Sequence, residues 1–361
     1  MIALKSNRIF TGSENAPKSG YITVNEGLII DILSELPAEN TYEILDYSQY
    51  SIAPSFIDLQ IYGGNGSLFN TEPTLETIQK TYNEISKTGT KHFQITLSTV
   101  DLPTMLAAIE ACKFYQKKGG QGLIGLHLEG PYFNPIKKGA HVEKYVRKPT
   151  VAEINTIIKA SEGIVTYMTI APEMFDDECL NLLINSGIQI SAGHSDATFS
   201  QAKTAFSKGI SRVTHLFNAM SQFQSRAPGL VGAAYDSDAF ASIVADGIHV
   251  DFNSVKISKK IMGDRLFYIT DAVTEDTRGE YSFTFNKDHY INHLGVLSGS
   301  ALSMMQAVKN GVNHCGISLA DSLKMASTIP AQVANLTHLG KIEKGYQADF
   351  VVFDDDFNVI L

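Results

Sequence analysis

The chain has 361 residues, 44% hydrophobic and 19% charged, with a net charge of −9. This balance allows one large domain, or a large one and a small one, each with a proper core, and argues against a broad nucleic-acid-binding surface. It leaves room for a local basic pocket that takes an anion. Cys112, Cys179 and Cys315 are widely spaced and outside any C-x-x-C pair. Such cysteines point to a reducing compartment rather than a disulfide framework or a cysteine zinc site. The opening MIALKSNRIFTGSE has no apolar signal-like run, and no stretch approaches about eighteen uninterrupted apolar residues, so the expectation is a soluble cytoplasmic protein.

The first fifty residues carry short alternating segments, Tyr21-Ile22-Thr23-Val24 and Leu28-Ile29-Ile30-Asp31-Ile32, separated by Asn-Glu-Gly. This is the pattern of a small sheet. The last twenty residues look alike, ending in Ala348-Asp349-Phe350-Val351-Val352-Phe353. Neither end can bury a core alone. Residues 1–50 and 340–361 are therefore expected to pair into one small β-sandwich domain, with 51–339 as the second domain.

Between the ends, apolar strand-like runs recur at 52–60, 91–98, 122–129, 165–171, 188–193, 212–217, 240–245 and 265–270. Helical patterns follow most of them, at Thr74–Thr88, Leu102–Lys118, Val151–Ala160, Asp176–Ser186, Thr198–Lys208 and Asn253–Met262. Eight strands alternating with helices predict an α/β protein built on a (β/α)8 TIM-like barrel. The rival is an open doubly wound sheet, which usually carries a G-x-G-x-x-G turn after its first strand. Gly63-Gly64-Asn65-Gly66 lacks that spacing.

In a barrel, catalytic groups collect at the C-terminal strand ends. The first run ends in Asp58, Gln60 and Tyr62, two residues apart and so on one strand face. The third ends in His127-Leu128-Glu129, the fifth in Gly193-His194, the sixth in Thr214-His215, the seventh in Asp246-Gly247-Ile248-His249 and the eighth in Thr270-Asp271. Glu129, His194 and His215 form a candidate metal triad, since one carboxylate and two imidazoles leave a position open for water. Each alone would read as a buried, hydrogen-bonded polar residue; three together on separate strands favour the ligand reading. His127 lies one layer deeper on the face of Glu129 and reads as a core or ligand-supporting residue.

Asp271 is either a helix N-cap or a general base. Ala272-Val273-Thr274-Glu275-Asp276 does not begin a helix pattern, which favours the base. For an anion, Arg226 lies in the loop after the sixth strand, Lys137-Lys138 follows the third, and Asn218-Ala219 offers backbone donors. A lone loop arginine is more often simply exposed.

The segments HLEGPYFNPIKKGAH, SAGHSDAT, THLFNAM, SRAPGLVGAA, ADGIHVD, ITDAV and LSGSALSM together resemble the N-acetylglucosamine-6-phosphate deacetylase family of the amidohydrolase superfamily. The resemblance runs from PSFIDL to the closing GKIEKGYQADFVVFD. It implies a barrel with a terminal β-sandwich, ligation of one divalent ion by Glu129, His194 and His215, and Asp271 as acid/base. Zinc is the expected ion, with Fe2+, Co2+ and Mn2+ also suited to these donors. It further implies that His141 contacts the acetyl carbonyl, and that His249, Asn218 and Ala219 contact the sugar phosphate. Members are commonly homodimers in which the residue matching Arg226 reaches the neighbouring subunit's site. The expected reaction is hydrolysis of N-acetylglucosamine 6-phosphate to glucosamine 6-phosphate and acetate, in amino-sugar catabolism or cell-wall recycling.

Three alternatives stand beside it. The sugar could be the galacto epimer. Another amidohydrolase, such as a cyclic-amide hydrolase, would usually bring a paired-histidine first strand and often a bridging lysine, and neither is evident. A non-catalytic sugar-phosphate-binding homologue would be expected to have lost a ligand or Asp271, and none is lost. Many amidohydrolases carry His-x-His where this chain has Gln60 and Tyr62, and some deacetylases carry Gln-x-Asn. Gln60 and Tyr62 are weak ligands and therefore mark either a support for the real ligands or a lost second-metal position, so a mononuclear centre is expected.

Overall fold

In a computed structural model describing residues 1–14, 16–38 and 41–361, eight parallel strands form the barrel. They are Phe56–Ile61, Thr90–Leu97, Leu123–Glu129, Val165–Ile170, Gln189–Ala192, Arg212–Val213, Phe240–Ile243 and Leu266–Tyr268, each paired with the next in chain order. The chain just past the eighth strand returns to the first. Ile61 bridges Ala272 in parallel, the Tyr62 amide donates to the Ala272 carbonyl at 3.0 Å, and the Asp271 amide donates to the Gln60 carbonyl at 3.0 Å. That seam brings Gln60, Tyr62 and Asp271 side by side.

The helices form because each amphipathic run follows a side chain able to cap it. Thr74, Asp101, Thr150, Asp176, Thr198 and Asp251 each accept a hydrogen bond from a first-turn amide. Thr198 and Gln201 complete a reciprocal capping box. Several sequence-expected helices began on these residues, so the observed ones start one residue later, at Leu75, Asp177 and Phe199.

The apolar run 52–60 is not one strand. Ser51–Pro54 belongs to a six-stranded sheet, and after Ser55 the chain enters the barrel as Phe56–Ile61. In the small sheet, Ser51–Pro54 pairs antiparallel with Phe350–Phe353 near the C-terminus and parallel with Ile2–Ile9. Leu4, Ile9, Ile22, Ile52, Phe350 and Val352 give this sheet its own apolar cluster, separate from the barrel core. The sixth run also differs: only Arg212–Val213 keeps strand pairing, and the chain turns at His215, where φ is 34°. A three-stranded antiparallel sheet, Phe283–Asn286, His289–Asn292 and Leu297–Ser300, follows the eighth strand. No helix among the described residues is long and apolar enough to cross a membrane.

Inside the barrel, Gly125 on the third strand makes room for a bond that spans it. Gln94 of the second strand donates to Thr166 Oγ1 of the fourth at 2.9 Å. A Cβ at Gly125 would lie 2.0 Å from that oxygen. Gly125→Ala is expected to lower unfolding stability by about 1–3 kcal/mol, read as a reduced urea midpoint by tyrosine fluorescence. An unchanged midpoint would show that Thr166 moves aside freely.

Candidate active site

The third strand delivers Glu129, 1% exposed, to the barrel mouth. A carboxylate so buried must be matched by donors. Gln60 Nε2 donates to Oε1 at 2.9 Å, and the Tyr62 hydroxyl donates to Oε2. His215 Nε2 lies 3.0 Å and His194 Nε2 3.3 Å from Oε1, while His141 Nε2 lies 3.1 Å from Oε2. Burial would raise the Glu129 carboxyl, but its interaction with His141 and the hydrogen bonds from all three histidines together hold it well below the usual range.

The second nitrogen of the ring distinguishes His194 from His141, while His215 Nδ1 is buried with no hydrogen-bond partner among the described residues. His194 Nδ1 faces the Lys137 carbonyl at 2.8 Å, and a carbonyl can only accept, so Nδ1 carries the proton and Nε2 keeps its lone pair. Burial, with the nearby His141, pushes His194 down to about 4, so it stays neutral. Phe133 stacks on the ring at 4.1 Å and fixes its plane. His141 is the reverse case. The Thr99 amide, which can only donate, points at His141 Nδ1 at 3.2 Å, leaving the ring proton of neutral His141 on Nε2. Glu129, His141 and His194 do offer ligand atoms within 4.8 Å of one another. The His141 Nδ1 lone pair, however, is taken by the Thr99 amide, whereas His194 keeps a lone pair free on Nε2.

Glu129 Oε1, His194 Nε2 and His215 Nε2 lie 3.0, 3.1 and 3.3 Å apart pairwise. Three ligands at about 2.0–2.1 Å from a tetrahedral ion would be separated by about 3.3–3.4 Å, so the donor set fits a small divalent cation. His215 and His194 both sit at left-handed φ, 34° and 48°, as does Asp271 at 54°. Non-glycine residues rarely adopt this conformation, and three of them at one site reflect local strain held in place by the surrounding fold.

Asp271 does not cap a helix. Its Oδ1 accepts from Gln60 Nε2 at 2.7 Å and from the Tyr62 hydroxyl at 3.2 Å. Burial raises its carboxyl above the usual range, an effect that His215 opposes and Glu129 reinforces. Burial likewise raises the Tyr62 hydroxyl well above an ordinary phenol, so it stays a donor. Gln60 and Tyr62 thus share their protons between two carboxylates.

A cavity of about 180 Å³ opens above these groups, lined in part by Asn218, Ala219, His249 and Tyr281. Asn218 Nδ2 is buried and, among the described residues, unpartnered, a donor open to a ligand. His249 Nδ1 is held by Asp246 at 2.6 Å. His127 is hydrogen-bonded to the Leu59 carbonyl and Thr169 below the site, as a core residue. Arg226 stands apart: it is exposed at a turn between the bridged Gln224 and Ala227 and does not line this cavity.

Sequence reasoning missed Thr99 and the wall made by Tyr281, Phe283 and Leu297–Gly299. The alternation in Phe283-Thr284-Phe285-Asn286, followed by Lys287-Asp288, was a hairpin signal that would have found the added sheet. Nothing local showed that this sheet folds over the barrel mouth.

Residues 51–361 match the profile of the Amidohydrolase family. The chain is 33% identical over 350 residues to N-acetylglucosamine-6-phosphate deacetylase of Haemophilus influenzae, covering 94% of this chain and 92% of that protein. It is 34% identical to N-acetylgalactosamine-6-phosphate deacetylase of a Shewanella species, covering 94% and 89%. The crystal structure of N-acetylglucosamine-6-phosphate deacetylase from Pasteurella multocida superposes with a TM-score of 0.94 at 31% identity, covering 99% of this chain and 97% of that one.

Tyr62→Phe removes one donor to Glu129 and leaves the ring. It is expected to weaken divalent-cation binding about 10–100-fold, measured by calorimetry on the metal-free protein. Unchanged affinity would mean that Tyr62 does not orient the ligand.

Proposed function

The chain belongs to the amidohydrolase family, and from that premise we propose that it hydrolyses N-acetylglucosamine 6-phosphate to glucosamine 6-phosphate and acetate. The observation that carries the reading is the meeting of Glu129, His141, His194, His215 and Asp271 at one cavity, beside a buried Asn218 donor with no partner among the described residues. Relatives named for either sugar epimer match at nearly equal identity, so the galacto substrate is the second reading.

Glu129, His194 and His215 would hold one divalent cation per subunit, zinc by preference. When bound, it supplies Lewis-acid polarisation of the acetyl oxygen and lowers the pKa of water towards about 7. Asp271 takes a proton from the attacking water and delivers it to the departing nitrogen. Gln60 and Tyr62 hold Oδ1 of that carboxylate, and every hydrogen bond it makes among the described residues falls on this oxygen, so Oδ2 is left for the proton. The His141 Nε2–H donates to the acetyl oxygen as charge builds there, a contact worth roughly 3–4 kcal/mol in comparable sites.

Asn218, the Ala219 amide and His249 receive the sugar phosphate. Arg226, exposed and outside its own cavity, reaches the phosphate in the neighbouring subunit of a homodimer. The small sheet, which takes in Ser51–Pro54 beyond the expected 1–50 and 340–361, acts as a scaffold domain, and the chain from Phe56 to 339 as the catalytic domain. Three buried, unpaired cysteines support a cytoplasmic setting.

Acetate release from both sugar phosphates, with metal content per chain, tests the reading. Release from the gluco substrate with about one metal per chain is expected, and metal-loaded protein releasing acetate from neither would overturn it. Asp271→Asn should retain the metal and lose about 10²–10⁴-fold in turnover. Because the raised Asp271 carboxyl acts as a base, wild-type turnover should fall as pH falls through its pKa. Near-normal turnover of Asp271→Asn would remove Asp271 from the chemistry.

A further inference from the structure

His141 is not carried on a strand. It sits in the loop after the third strand, where backbone geometry alone does not aim a ring. One phenol braces it from both sides. The Tyr281 hydroxyl donates to the Thr99 carbonyl at 2.8 Å and lies 2.6 Å from Thr99 Oγ1. The same oxygen accepts the amide of Val142, the residue after His141, at 3.3 Å. Thr99, held in this way, aims its own amide at His141 Nδ1 at 3.2 Å, with its hydroxyl at the same distance. The Tyr281 ring packs edge-on to His141 with centroids 6.3 Å apart. Thr99 is 1% and Tyr281 6% exposed, so water does not readily replace these bonds.

We infer that Tyr281, through Thr99 and Val142, is a positioning residue that holds the His141 ring with Nε2 at the cavity floor, where it faces Glu129 Oε2 at 3.1 Å and can turn its proton to an acetyl oxygen bound there. The residue belongs to the segment that leads into the added three-stranded sheet, so the sheet completes the site as well as covering it. The inference rests on the proposed role of His141 towards the acetyl oxygen.

The phenol itself transfers no proton. Its loss lets the donor wander from a geometry that matters only when charge develops on the acetyl oxygen. Tyr281→Phe should therefore lower kcat about tenfold with KM and metal content close to wild type, because misplacement of a catalytic group costs turnover more than binding. Thr99→Val should give a similar loss, and Thr99→Ser should recover most of it.

The deciding measurement is the cycle with His141. His141→Gln should lower kcat about 100-fold or more, and adding Tyr281→Phe to it should cost nothing further. Equal losses from Tyr281→Phe in both backgrounds, or a rise in KM with kcat unchanged, would overturn the positioning role while leaving the His141 assignment standing. His141→Gln with normal kcat would instead remove the assignment on which the inference depends.

Discussion

One buried negative charge organises the mouth of this barrel. Glu129 would cost several kcal/mol to place there without partners. The fold surrounds it with an amide, a phenol and three imidazoles drawn from the first, fifth and sixth strand ends and the loop after the third. Each partner in turn needs its own support: Lys137 for His194, Thr99 for His141, and the Ser242 hydroxyl, which accepts the His215 amide at 2.8 Å. The left-handed backbone at His194, His215 and Asp271 is what aims these side chains at a single point.

The seam between the eighth and first strands explains Gln60 and Tyr62. Closing the barrel puts Asp271 beside Glu129, and two carboxylates so close repel unless donors separate them. Gln60 Nε2 reaches Oε1 of one at 2.9 Å and Oδ1 of the other at 2.7 Å, and Tyr62 contacts both. Neutral donors at this position offset the repulsion between the two carboxylates. They also leave Asp271 an oxygen for proton transfer.

Much of this was legible in the sequence because its causes are local. Period-two and period-3.6 patterns marked the strands and the main helices, and polar residues at the ends of apolar runs marked Glu129, His194, His215 and Asp271. The break at Ser55 was hidden because both halves of the run are buried, one in each sheet. The early end of the sixth strand was hidden because Leu216 is as buried as a strand residue while the backbone has already turned. Thr99 and Tyr281 were invisible for a different reason. Their importance lies in contacts across 42 and 182 positions of chain, which no local pattern encodes.

The central claim is that Glu129, His194 and His215 hold one cation, with Gln60 and Tyr62 as hydrogen-bond partners and His141 as a donor. Anomalous diffraction from crystals of the metal-loaded enzyme, recorded at the absorption edge of the bound metal, tests it directly. The account predicts one peak per subunit, within bonding distance of those three residues and away from His141 Nε2. A second peak beside Gln60 and Tyr62, or a single peak ligated by His141 in place of His215, would contradict it.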